Sequence, residues 1–140
     1  MEDALISFET AKLAKEKGLN ISTRHFYADE SWKSKQIYSC SEVGYPEYTN
    51  DMMDNNHGFG DIILIPTQSL LAKWLREVHG INVSSDLWDY LGKKQIPTWQ
   101  YNILKIDPIS NFIKSHKPKI GLKYEEALEI GLQEALKLIK

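Results

Sequence analysis

Residues 66–90, PTQSLLAKWLREVHGINVSSDLWDY, spell out a helix, its glycine stop and the strand that follows. Pro66 stands where its missing N–H costs a helix nothing. Leu70, Leu71, Trp74, Leu75 and Val78 recur at i, i+3, i+4 spacing and predict a broad inward stripe, with Lys73, Arg76 and Glu77 on the outer side. Gly80 then supplies the left-handed residue that ends a helix. The same grammar occurs earlier, where Lys17-Gly18-Leu19-Asn20-Ile21-Ser22-Thr23 aligns with His79-Gly80-Ile81-Asn82-Val83-Ser84-Ser85. The echo predicts two pseudo-repeated αββ units.

The other segments fill in that outline. A first helix is expected from Ser7, whose hydroxyl can accept from the first turn, with Ile6, Thr10, Leu13 and Ala14 turned inward. Residues 21–27 and 36–40 read as extended. A polar stretch, 41–60, carries turn signals at Gly44-Tyr45-Pro46 and at 55–60, and a loop of that length is usually functional or mobile. The apolar run 61–65 suits a buried strand or a lead into the next helix. Beyond Gly80 the chain is expected to run extended to about residue 90, turn through 91–94 and return over 98–106, where Asp107-Pro108 ends the ladder. Residues 110–123, with Lys114, His116, Lys117, Lys119 and Lys123 and no acid, read as a basic linker.

The last helix, 124–139, places Tyr124, Leu128, Leu132, Ala135 and Ile139 on one face. Glu125, Glu126 and Glu129 lie at its positive end and Lys137 and Lys140 at its negative end. Lys123 stands where a Ser or Thr cap is expected. The order α-β-β-α-β-β-α predicts an α+β fold of residues 1–140 as a single domain, with helices on one face of an antiparallel sheet.

Composition excludes several classes. A formal charge of −2 gives no global drive toward duplex nucleic acid or an anionic membrane. No apolar run approaches the roughly 20 residues of a membrane span. One cysteine, Cys40, excludes an intramolecular disulfide and a cysteine-based zinc site. With the acidic opening Met1-Glu2-Asp3, these features lead to the expectation of a reducing, cytoplasmic compartment.

Few residues carry chemistry on their own. Asp51, Asp54, His57 and Asp61 gather hard-metal and hydrolytic ligand types within eleven residues, but Asn55, Asn56, Gly58 and Gly60 explain the same stretch as a solvated loop. His79 is a candidate proton-transfer group, or simply a favourable charge at a helix C-terminus. Cys40 could be a nucleophile with His25 or His57 as base, against the plainer reading of a small buried side chain. Phosphate-binding glycine loops and nucleophile elbows are absent. No cofactor and no metal are called for, and the protein reads as a non-enzyme.

The aromatic set is more suggestive. Tyr27, Trp88, Tyr90, Trp99 and Tyr101 all fall on expected strands, with Phe26 beside Tyr27, and Arg24, Lys93 and Lys94 lie near enough to meet phosphate. Trp99 and Tyr101 alternate and should share a sheet face, with Trp88 and Tyr90 as further candidates for it. Arg24, Tyr27, Trp88, Tyr90, Trp99 and Tyr101 therefore form the candidate ligand-binding set, since a base stacked on an aromatic ring gains roughly 1–3 kcal/mol. The competing reading is that these rings are core or a dimer surface.

Two segments carry a family resemblance. Residues 66–79, PTQSLLAKWLREVH, and 124–139, YEEALEIGLQEALKLI, are similar to the PTQSLL-x-KWLRE-x-H and YEEALE-x-GLQEALKLI segments of small accessory proteins from phages of Bacteroidetes hosts, including crAss-like phages. Together they cover about a fifth of the chain; Lys123 replaces the usual Thr before YEEAL. The resemblance implies a phage accessory protein acting in a bacterial host cytoplasm and brings no catalytic motif with it. The leading expectation is a non-enzymatic binder of a host molecule, in its specific form one that sequesters a small nucleotide-derived defence signal. The alternative is a protein-interaction module, an inhibitor or adaptor with an exposed aromatic sheet face. A small metal-dependent hydrolase at Asp51, Asp54 and His57 is the third. Homo-oligomerisation is expected under all three.

Overall fold

A computed structural model describes residues 3–27, 37–40, 63–89, 98–105, 111–115 and 122–139. Its contacts group into two compact units, one of Leu5–Thr67 and the other of Met1–Ala4 with Gln68–Lys140. The architecture is α+β, with antiparallel sheets.

In the Leu5–Thr67 unit, helix α1 (Phe8–Glu16) opens on Ser7, whose Oγ accepts from the Thr10 backbone N–H at 3.3 Å. Gly18, at φ +86°, closes it. The Gly18 N–H reaches the Lys15 carbonyl and the Leu19 N–H reaches that of Ala14, both at 3.0 Å, which completes a Schellman motif. Strands β1 (His25–Tyr27), β2 (Ile37–Ser39) and β3 (Ile63–Ile65) follow, with β1 central and antiparallel to both neighbours. The 61–65 run thus contributes a strand, buried along its whole described length and packed on α1. Phe8 meets Tyr27 edge-to-face at 5.0 Å.

The second unit begins with helix α2 (Gln68–His79). Its first turn holds no acid of its own, and Asp3 serves instead, accepting from the Ser69 N–H at 3.2 Å. Leu71, Trp74 and Leu75 are buried, but Val78 is 61% exposed, so the inward stripe stops a turn earlier than its spacing predicts. Gly80 follows at φ +64°. Strands β4 (Ile81–Asp89), β5 (Thr98–Lys105) and β6 (Asn111–Ser115) form an antiparallel sheet in that order. The third strand corrects the reading of 110–123 as a linker: Asn111–Ser115 pairs with Asn102–Lys105 across a register shift.

Helix α3 (Tyr124–Lys137) buries Ala127, Leu128, Gly131, Leu132, Ala135 and Leu136. It packs on β4 and β5 and against α2. Ile81, Val83, Ser85, Tyr101 and Ile103 are buried, while Asn82, Ser84 and Asn102 are only half-buried and Asp86 is exposed. On that polar side the Asp86 carboxylate accepts from Ser84 Oγ at 3.3 Å and from the Asn102 amide.

The sequence echo has a structural counterpart. Leu19 and Ile81, each just past its glycine, are both buried, and so are the aligned Thr23 and Ser85. Asn20 and Ser22 are exposed between them, as Asn82 and Ser84 are the less buried residues of β4. The third strands break the likeness: β3 joins beside the first strand of its sheet, whereas β6 joins beside the second.

Candidate functional site

The start of α3 is tied to the start of β5. The Trp99 N–H donates to the Leu122 carbonyl at 3.0 Å, which fixes where the helix begins. Ser85 Oγ on β4 donates to the Tyr124 carbonyl at 3.1 Å. Lys123 occupies the N-cap, and its ammonium has no lone pair with which to accept a backbone bond. Only the return half of a capping box is made: Glu126 Oε2 accepts from the Lys123 N–H at 3.2 Å.

These ties bring three large side chains together. The Tyr124 and Trp99 rings meet edge-to-face, 5.1 Å between centroids at 88°. Leu87 lies directly opposite Trp99 in the β4–β5 register, and opposed side chains share a face. Leu87 is 46% exposed, Tyr124 42% exposed and Trp99 half-buried. Glu125 and Glu126, next along the helix, are exposed, as is Lys123. The result is an apolar ledge bordered by two carboxylates and one ammonium.

The expected binding residues are only partly assembled. Trp99 and Tyr101 do share a face of β5, but Tyr101 is 3% exposed and serves as core beneath α3. Tyr27 is 4% exposed, packed against Phe8. Arg24 is exposed, and like Tyr27 it belongs to the Leu5–Thr67 unit, whereas Trp99 and Tyr101 belong to the other. Trp88 is the extra residue of a β-bulge between the Leu87–Trp99 and Asp89–Thr98 pairs, which interrupts strand alternation there. Its side chain, together with Tyr90, Lys93 and Lys94, lies outside the described residues. Tyr124 and Leu87 were not singled out by sequence; Tyr124 was assigned to the inward stripe of α3.

The remaining candidates take plainer roles. Asp51, Asp54, His57 and Asp61 lie outside the described residues, and among the described residues no group of three or more His, Cys, Asp or Glu side chains is placed to hold a metal. Cys40 is fully buried and its Sγ donates to the Thr23 carbonyl at 3.4 Å. The His79 ring packs edge-to-face on Trp74 at 4.6 Å, and its Nε2 is buried with no hydrogen-bond partner among the described residues. Among the described residues no helix is long and apolar enough to cross a membrane.

No family model, curated relative or solved structure matches this chain.

Proposed function

We propose that this is a non-enzymatic phage accessory protein that works in the host cytoplasm by gripping a host molecule on the Leu87–Trp99–Tyr124 ledge, as a protein-interaction module. The observation that carries the reading is the exposure of Leu87 and Tyr124 on either side of a half-buried Trp99. Large apolar and aromatic side chains of this kind anchor interfaces because they bury area at little entropic cost. The carboxylates of Glu125 and Glu126 beside Tyr124 weigh against a phosphate there.

Sequestration of a nucleotide-derived signal remains the second reading, favoured by the perpendicular Trp99–Tyr124 pair, whose ring faces are of the kind that stack on bases. One experiment separates the two. Purified protein and its Trp99→Ala/Tyr124→Ala variant are used to capture partners from host lysate and are titrated calorimetrically with cyclic and linear nucleotides. A stoichiometric protein captured by the parent and lost in the variant supports the first reading. Heat from a nucleotide that the variant abolishes supports the second. If the variant behaves like the parent in both assays, the ledge is not the contact surface.

A further inference from the structure

We infer that the ledge takes an extended basic peptide segment, an apolar side chain followed two residues later by Arg or Lys; this rests on the protein-interaction reading above. The charge around the ledge decides its sign. Within residues 123–126 there are two exposed carboxylates, Glu125 and Glu126, and one exposed ammonium, Lys123. A helix N-terminus ordinarily attracts anions. Here Glu126 already takes the Lys123 N–H, so the anion site is filled by the chain's own side chain. A phosphate or carboxylate on the partner would meet both glutamates, whereas a cation would be drawn to them. The rings add to this preference, because an aromatic face is negative and attracts guanidinium or ammonium groups.

Geometry sets the spacing. Leu87 and Trp99 are opposed residues of adjacent strands, separated by about 5 Å, and the Tyr124 ring lies a further 5.1 Å from that of Trp99. In an extended chain, side chains two residues apart fall on the same side at about 7 Å. An apolar side chain set between Leu87 and Trp99 therefore puts the second following residue over Tyr124 and its neighbouring carboxylates.

The test uses the full chain and a capped hexapeptide containing Leu-Thr-Arg, followed by chemical shifts of the Trp99 indole N–H and the Leu87 methyls. The expected result is saturable movement of both signals. Affinity should fall about fivefold or more when the peptide Arg becomes Glu, and by a similar factor in the Glu125→Gln/Glu126→Gln variant. Gln at position 126 keeps an acceptor for the Lys123 N–H, and Glu125→Gln alone, which touches no cap, should give part of the loss. Equal binding of the Arg and Glu peptides overturns the inference, as does movement of the same signals by a cyclic nucleotide in place of the peptide. If the peptides fail while Trp99→Ala/Tyr124→Ala still abolishes lysate capture, the basic-segment inference falls and the interaction reading stands. Failure of both removes the reading itself.

Discussion

Gly131 in α3 lies so close over Tyr101 in β5 that a Cβ built on the glycine would sit 2.7 Å from the Tyr101 Cβ and 3.0 Å from a Val83 methyl. The neighbours that would have to yield are the base of a buried aromatic ring and a β-branched side chain. Gly131→Ala should therefore destabilise the protein by about 1–3 kcal/mol despite the better helix propensity of alanine. The measurement is denaturant unfolding. An alanine variant as stable as the parent would mean that helix and sheet are not this close.

Gly18 and Gly80 make the opposite case. Both have positive φ, and neither would place a new Cβ within 4 Å of anything. Their alanine variants should each lose about 1 kcal/mol through backbone conformation alone. Asn should recover part of that loss, because it tolerates the left-handed region. At Gly131 Asn should recover nothing, and comparing Ala with Asn at all three positions by thermal unfolding separates conformational cost from steric cost.

Gln68 is 3% exposed, and its Nε2 donates to the Glu125 carbonyl at 2.9 Å and to Glu129 Oε1 at 3.2 Å. Gln68→Met keeps the volume and removes both donations. The expected loss is about 1–3 kcal/mol, since a carbonyl and a carboxylate each lose a partner in a partly buried setting. Chemical denaturation of this variant measures it.

The two helix caps can be tested in parallel. Ser7→Ala removes the acceptor for the Thr10 N–H, and Asp3→Ala removes that for the Ser69 N–H. Each should cost about 0.5–2 kcal/mol. Asp3→Asn keeps an oxygen acceptor and should retain most of the stability, whereas an unchanged Asp3→Ala melt would show that this exposed bond contributes nothing.

The ledge predicts a separation of stability from binding. Leu87 and Tyr124 are exposed enough that Leu87→Ser and Tyr124→Ala should each change stability by less than about 1 kcal/mol. Affinity for a captured partner should fall tenfold or more, about 1.4 kcal/mol, as for central interface anchors. Calorimetric titration against that partner, beside a thermal melt, reads both quantities.

The helices were legible because their signals are local. Ser7, Gly18, Gly80 and the apolar spacing of α2 act within a few residues of themselves, and each is where its pattern places it. The third strand of each sheet was harder, because its pairing is non-local. Residues 111–115 carry a lysine-rich look and are strand only through pairing with β5. Val78 fits the helical period but lies in the last turn of α2, where it is left exposed. At the candidate site, period-two alternation correctly put Trp99 and Tyr101 on one face, but it could not say that the face is the one α3 covers. Tyr124 was hidden by the same limit: its spacing matches the inward stripe, and only the Trp99–Leu122 bond leaves it at the rim.

The partners of α2's first turn have a consequence for how quickly the chain can fold. Ser69 is held by Asp3, 66 positions away, and Gln68 by Glu125 and Glu129, 57 and 61 positions away. Closing such long loops must be accomplished before these bonds return any energy, and that slows assembly. The helix with the strongest apolar stripe should therefore acquire its final protection against amide exchange late, after α1, whose caps are all drawn from its own neighbourhood.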